Sequence, residues 1–389
     1  MAQRVACSLQ QCVRQQAEPQ QQTRRQRPGW PLALKGLMGL MGLATALLTG
    51  LAGSPAFAQA SAAAAPQRLR IVGGLAGVNQ YTRHEEPFWT TELMRLTGGK
   101  ISAEIVPFDR AGIRPQEMLQ LMQLGVVPFG TALMSQSAVA EPLLGAPDLA
   151  GMNPDIATLR RTVAAYRPLL EKTLRERHGI ELLAVYTYPA QVLFCNKAFN
   201  GLGDLAMRRI RVSSPPQSDW VEALGATPVS ISFAAIVDGF RAGNIDCAIT
   251  GTMSGNTIGL PELTSHVHTM AVNWGLAAFG ANQATWKALS PALRDILLRE
   301  LPKLEQAIWT ESERETGEGL ACNTGAPSCI SGKRGRMVEV KSSADDEKRR
   351  RQIFAGTVLP RWVQRCGPSC AEVWNQTFGA QTGITAPPR

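Results

Sequence analysis

The sequence predicts an α/β protein of two related lobes with a cleft between them. Strand-like and helix-like stretches alternate from residue 68 onward. A β-α-β-α-β order occurs twice, and the two occurrences end alike: "LQLMQLGVVPFGTALMS" against "VDGFRAGNIDCAITGTMS", each a helix, a glycine and a strand. The same order with the same ending argues for duplicated α/β units rather than chance. The 389 residues, 44% hydrophobic and 18% charged, have an ordinary globular profile, long enough for about two domains with their own cores.

In chain order, the first unit opens with the strand "RLRIVGG" (68–74) and the loop "LAGVNQYT". The helix "EEPFWTTELMRLTGG" follows, with apolar positions at helical spacing and a glycine pair as its stop. "KISAEIVPF" alternates as a strand, "PQEMLQLMQLG" is a second helix and "VVPFGTALMS" a third strand. Next come the helix "DIATLRRTVAAYRPLLEKTLRERHG" and a long apolar strand, "IELLAVYTYPAQVLFCNK". The second unit runs from the strand "RRIRV" through "QSDWVEALG", "TPVSIS" and "FAAIVDGFRAGN" to the strand "IDCAITGTMSG". "HVHTMAVNWGLAAFGAN" is a further strand region. A long amphipathic helix follows Ser290-Pro291, and Pro302 is expected to kink or break it. The tail holds helices near 347–354 and "SCAEVWNQTFG".

Residues 1–58 are expected to be a signal peptide: a basic flank, an apolar core and the small-residue site Ala56-Phe57-Ala58, with cleavage after Ala58. The alternative is a membrane anchor, but the apolar run is Gly-rich and ends in Ser-Pro and Ala-x-Ala. The polar stretch before it is long, so the true start codon is open. The whole chain carries 40 − 31 = +9, and residues 1–58 carry six Lys/Arg against one Glu, which leaves +4. That mild charge, without basic–aromatic interleaving, argues against nucleic acid as a partner. The run "DDEKRRR" (345–351) reads as a solvated helix face.

Cys7 and Cys12 lie in the leader. Cys322, Cys329, Cys366 and Cys370 fall close together across Gly/Pro turns, which suits short-loop disulfides in an oxidising compartment. Pairing of 322 with 329 and 366 with 370 is the most local of the possible connectivities. The alternative is a four-cysteine zinc site, disfavoured by spacing and compartment. Cys195 and Cys247, in apolar strand-like runs, read as buried free thiols.

Three arginines stand in "MRRIRVSSPPQSDWVEALGATPVSISF". Arg208 and Arg209 precede the strand and read as a solvated turn. Arg211 lies within it, where a planar guanidinium fork fits a carboxylate bidentately and keeps its charge when partly desolvated. The alternative for Arg211 is a surface strand arginine.

The strand bearing Arg211, the helix ending "LGATP", the Phe-started helix and "AGNID" together form a signature that resembles the dicarboxylate-type (DctP-like) periplasmic solute-binding proteins of TRAP (tripartite ATP-independent periplasmic) transporters. The likeness includes "LTGGKISAEIVPF" and the Ser-Pro helix near 290, and covers most of 68 to about 319, without the Cys-rich tail. It implies a two-lobed periplasmic-binding-protein fold, type II-like, with a long connecting helix. The expected parts are lobe I at 68–188 plus 276–316 and lobe II at 189–275 plus 317–389. It implies a periplasmic receptor that captures a small organic acid by lobe closure and delivers it to membrane subunits, as a monomer, without cofactor or metal.

On this resemblance Arg211 pairs with the solute carboxylate. Ser214 sits where a polar contact is common, and Phe233 resembles a pocket wall, its alternative being a core aromatic. Thr250 replaces an Asn of the family pattern in "DCAITG", so that run departs from it and implies a different ligand set. The second basic residue of acidic-sugar binders aligns near Gln191, and its loss argues against a doubly charged or sialic-acid-like solute. Asn79, Gln80, Tyr81, Met134, Ser135, Asn273 and Trp274 are candidate lining residues by location.

Two other classes compete. A sensor would use the same lobes and dock on a receptor. An enzyme has little support: "GTMSG" places Ser254 one position too late for a nucleophile elbow. His266 and His268 share a strand face as a possible metal pair, but no carboxylate spacing joins them. No P-loop or dinucleotide fingerprint is present.

Overall fold

The computed structural model describes residues 67–386; the leader reading, with Cys7 and Cys12, lies outside the described residues. The strands are β1 (Gln67–Gly73), β2 (Ile101–Pro107), β3 (Phe129–Leu133), β4 (Ile180–Thr187), β5 (Gln191–Cys195), β6 (Arg209–Val212), β7 (Thr227–Ser230), β8 (Cys247–Gly251), β9 (His266–His268), β10 (Leu276–Asn282) and β11 (Val338–Val340). They form one sheet of order β2-β1-β3-β10-β4 and another of order β11-β9-β5-β8-β6-β7.

The duplication is visible in the registers. β1 lies parallel between β2 and β3, and β6 lies parallel between β7 and β8. Ile71 faces Ile105 and Phe129, and Ile210 faces Pro228 and Cys247. Val72 and Arg211 therefore hold equivalent positions in the two units.

Two expected strands are each divided between the sheets. In "IELLAVYTYPAQVLFC" the chain leaves β4 at Tyr188-Pro189 and re-enters as β5 in the second sheet. Pro189 has no N–H to donate to a ladder, so the run cannot continue as one ordinary strand. "HVHTMAVNWGLAAFGAN" divides likewise into β9 and β10, bringing the chain back. The two crossings run side by side. Tyr188 N donates to Gly275 O (3.1 Å), Gln191 N to Asn273 O (2.8 Å) and Val272 N to Gln191 O (2.8 Å).

The helix Pro291–Thr324 lies along these crossings and is unbroken through Pro302. A proline in a helix interior costs about 3 kcal/mol. Buried Leu297, Leu301, Leu304 and Ile308 on the opposite side each return roughly 1.5–3 kcal/mol, while exposed Pro302 leaves its freed carbonyl partner on the solvent face. Polar side chains fasten the helix to the crossing strands. Glu305 accepts from Val185 N (2.9 Å), Trp309 Nε1 donates to Val185 O (2.8 Å), Ser312 Oγ to Thr187 O (2.7 Å), and Thr316 Oγ1 accepts from Ala190 N (3.0 Å). Gln80 Nε2 donates to Ser312 Oγ (3.0 Å) and Glu315 (2.8 Å), and Asn79 also donates to Glu315.

The third strand of the second unit stops at Gly251, and "TMSGNT" turns into the helix Thr252–Thr257. Cys195 and Cys247 are not free thiols. They stand opposite each other in β5 and β8, with Cα atoms 4.1 Å apart, and form a disulfide. That spacing belongs to a close cross-strand pair. The late cysteines form two separate bridges, Cys322–Cys329 and Cys366–Cys370.

The tail carries more structure than expected. β11 extends the second sheet beside β9, and a helix Leu359–Cys366 stands between the two anticipated ones. Trp362 and Trp374 are buried in the larger core, and Phe378 stacks on Tyr166 of the helix Ile156–His178 (5.1 Å). The 345–351 run is only partly solvated. Asp346 and Arg350 are each 5% exposed; Asp346 caps its own helix through Ser343 and accepts from Leu202 N (2.8 Å), while Arg350 donates to Gly151 O. Among the described residues no helix is long and apolar enough to cross a membrane.

Candidate functional site

A cavity of about 500 Å³ opens where the two sheets and the paired crossings meet. From the first sheet come Leu75, Phe108, Asp109, Leu133, Ser135 and Gln136, with the loop 112–116. From the second come Arg211, Ser213, Ile231, Phe233, Thr250 and Ser254. The crossings supply Tyr188, Gln191, Asn273, Gly275 and Leu276.

Arg211 is 3% exposed. Its Nε donates to Ile231 O (3.0 Å) and its Nη1 to Ile249 O (2.8 Å). Among the described residues Nη2 has no partner, and no carboxylate stands within ion-pair distance of the guanidinium. Burial lowers its pKa to about 10, so it stays cationic at neutral pH. A buried charge without a counter-ion is costly. The two backbone carbonyls fix the plane of the group and leave its remaining donors for an anion in the cavity. Among the described residues, the only other lining cation is Arg114, whose side chain is 77% exposed and paired with Glu117.

Polar bonds behind the wall set the positions of Ser213 and Asn273. Asp148 accepts from Asn273 Nδ2 (3.1 Å), Trp274 N (3.0 Å) and Gly275 N (2.7 Å). Asn273 Oδ1 accepts from Gln217 Nε2 (2.7 Å), and Gln217 Oε1 accepts from Ser213 N (2.7 Å). Burial pushes the Asp148 carboxyl up to about 6 against these donors. Glu85, buried beside Gly74 and Thr131, is pushed up to about 7 by burial, although both donate to it (2.6 and 3.1 Å).

Of the residues anticipated for the site, Arg211, Phe233, Gln191, Thr250, Asn273 and Ser135 line the cavity. Phe233 serves in both anticipated ways, since it also packs against the cores. Three do not line it. Ser214 is the cap of the helix Pro215–Ala223 and accepts from Gln217 N (3.3 Å). Trp274 is 3% exposed and donates Nε1 to Asn153 O (3.1 Å). Met134 is 2% exposed and, with Ser214, borders a separate small void. Asn79 and Gln80 bond the long helix, and Tyr81 is buried against Gly73.

Arg208 and Arg209 lie at the surface as expected, but Arg209 already opens β6 and both heads are partnered. Arg208 gathers the carbonyls of Asp204 (3.0 Å), Lys197 (3.0 Å) and Ala198 (2.6 Å), and Arg209 pairs with Asp246 (2.9 Å). His266 and His268 flank Phe199, and His268 Nε2 lies 3.5 Å from Asp346. Tyr188, Ser254 and Gln136 were not anticipated. The Tyr-Pro step inside an apolar run was the one local signal for a crossing at Tyr188.

Solved structures share this architecture. An extracytoplasmic solute receptor from Bordetella pertussis binding pyroglutamic acid aligns at 20% identity and TM-score 0.69, covering 78% of this chain and 96% of that one. A TRAP periplasmic solute-binding protein from Desulfovibrio salexigens with bound orotic acid aligns at 15% and 0.70, covering 80% and 97%. Another, from Sulfitobacter with bound β-D-galacturonate, aligns at 16% and 0.67, covering 80% and 99%. At such identities the likeness is one of fold. The model of the bacterial extracellular solute-binding proteins, family 7 (DctP), matches residues 78–321, more than half of the chain. The protein therefore belongs to the bacterial extracellular solute-binding protein family 7.

Proposed function

We propose that the protein is the periplasmic receptor of a TRAP-type secondary transporter, exported by its leader, and that it captures a small organic acid and hands it to membrane subunits. The observation that carries this reading is Arg211: a buried cation, held by two carbonyls, with free donors at a cavity and, among the described residues, no acid within ion-pair distance. A carboxylate would accept two charge-assisted bonds there, each contributing about 1.5–3 kcal/mol. Because Arg211 is the one buried cation on the lining, the solute carries one carboxylate at that end and an uncharged body against Phe233, Leu276 and Tyr188. Similar receptors hold pyroglutamic acid, orotic acid and β-D-galacturonate, which supports a carboxylate as the shared element.

Capture proceeds by hinge closure at the paired crossings, with residues 68–188 plus 276–316 and 189–275 plus 317–389 as the moving parts. The second boundary falls within the long helix, so the helix bends or slides there rather than separating. The protein performs no chemistry on its ligand. Native mass spectrometry of the periplasmically expressed protein identifies the acid it carries. Thermal stabilisation by that acid is expected to vanish in Arg211→Ala; a variant that still responds sinks the assignment. Recovery of a changed molecule would speak for an enzyme. A receptor that binds the acid but gives no uptake with its membrane subunits would speak for a sensor.

A further inference from the structure

The tail beyond the family match carries a surface that the cavity does not use. Segment 330–341, "ISGKRGRMVEVK", follows the Cys322–Cys329 bridge. Its backbone is fastened closely. Ile330 N and Ser331 N donate to Glu318 (3.2 and 2.6 Å), and Lys333 N donates to Asn256 Oδ1 (2.8 Å). Gly335 N donates to Cys322 O (2.7 Å), Met337 N to Asn323 O (3.0 Å) and Val338 N to Ser265 O (2.8 Å). Glu318, Asn256 and Asn323 are themselves buried, so the loop is built to hold one shape.

What that shape presents is unpaired. Lys333, Arg334, Arg336 and Lys341 are exposed, and among the described residues none of their charged heads makes an ion pair or a hydrogen bond. The nearby acids are Glu339, within the segment, Glu262, next to the Pro261 that Gly335 packs on, Glu318, which takes Ile330 N and Ser331 N and pairs with Arg314, and Asp345 and Glu347, a few residues beyond Lys341; among the described residues none pairs with the four cations. Ile330 is 87% exposed and Val338 54%. Cations beside bare aliphatic side chains match a lipid interface, where ammonium and guanidinium groups meet phosphate headgroups and an aliphatic group enters the boundary with the acyl chains. A protein interface usually centres on aromatic and arginine anchors; this segment has arginines but no aromatic residue to pack them against.

We propose that segment 330–341 docks the protein on a membrane surface rich in anionic phospholipid. The test is co-sedimentation with vesicles of phosphatidylcholine alone and of phosphatidylcholine with phosphatidylglycerol. The wild type is expected to sediment with the anionic vesicles only, and to be released by high salt. The triple variant Lys333→Glu, Arg334→Glu, Arg336→Glu is expected to lose at least about tenfold in partitioning. Ile330→Asp is expected to weaken it severalfold with the salt dependence kept. Circular dichroism and the melting temperature check that each variant is folded. The proposal is overturned if the wild type sediments with neither vesicle, if it binds both equally, or if the folded triple variant binds as the wild type does. Binding that appears only with a membrane protein in the bilayer also overturns it, in favour of a protein partner. None of these side chains lines the cavity, so the result is independent of Arg211.

Discussion

The side-chain amide of Gln136 donates to the carbonyl oxygen of Ser213. Gln136 belongs to the short helix Met134–Ser137 after β3 of the first sheet, and Ser213 follows β6 of the second, two residues beyond Arg211. The bond joins the two walls of the cavity. Gln136→Ala should therefore weaken solute binding roughly fivefold, the effect of losing about 1 kcal/mol of closure. Titration calorimetry with the identified acid measures it, and unchanged affinity would mark the contact as incidental.

Arg211 makes a second prediction, about the empty protein. Its charge is desolvated with no counter-ion among the described residues, while its two carbonyl bonds offset part of that cost. Arg211→Met should leave stability within about 1 kcal/mol of the wild type, or raise it. Urea denaturation without ligand decides this. A loss of several kcal/mol would show that the arginine serves the fold first.

The third prediction concerns pH. The Glu85 carboxyl is raised from 4.5 to about 7, and that of Asp148 from 3.8 to about 6, both chiefly by burial. A raised acid holds a proton in the folded state that the unfolded chain has lost. Its contribution is full below the unfolded value and disappears as pH rises through the folded one. Stability should thus decline from the ordinary carboxylate range towards neutrality. Glu85→Gln should flatten that decline by up to roughly 3 kcal/mol. Denaturation series across pH test this, and identical slopes in variant and wild type would refute it.

The Cys195–Cys247 bridge closes a loop with a sequence separation of 52. Replacing both cysteines by serine should cost about 4 kcal/mol on the chain-entropy account. The melting temperature of the double variant, compared with that of the oxidised wild type, checks the size of the effect. A variant as stable as the oxidised protein would mean that the pair adds nothing to the sheet.

Alternation, helix stops and the repeated ending were legible in local sequence, because each is a property of neighbouring residues. So was Arg211, through its strand and the signature around it. Side-chain direction at strand ends was not. Ser213 lines the cavity and Ser214 does not; the same holds for Ser135 against Met134 and for Asn273 against Trp274. Each pair is adjacent in sequence. Successive side chains point apart where the backbone is extended, as at Ser213–Ser214, and in the first turn of the helix Met134–Ser137 neighbours are turned about 100° from each other. Location along the chain identified the right turns but could not choose between neighbours. The Cys195–Cys247 pair was hidden for a different reason: it depends on the register of β5 against β8, which is set by the assembled sheet. Asp148, which holds the Asn273–Gly275 turn, had no local signal at all.

The equivalence of Val72 and Arg211 bears on how a ligand lies in the molecule. Two units with the same strand order meet around one cavity, yet at this shared position one carries an aliphatic residue and the other a cation. A symmetric pair of arginines would accept a solute either way round. On the proposed function, a single arginine on a duplicated frame would give the receptor a head and a tail, so that an acid would enter in one orientation. Its uncharged end would then face the first unit, whose Leu75, Phe108 and Leu133 line the cavity, and selectivity among acids would become a matter of what that wall admits.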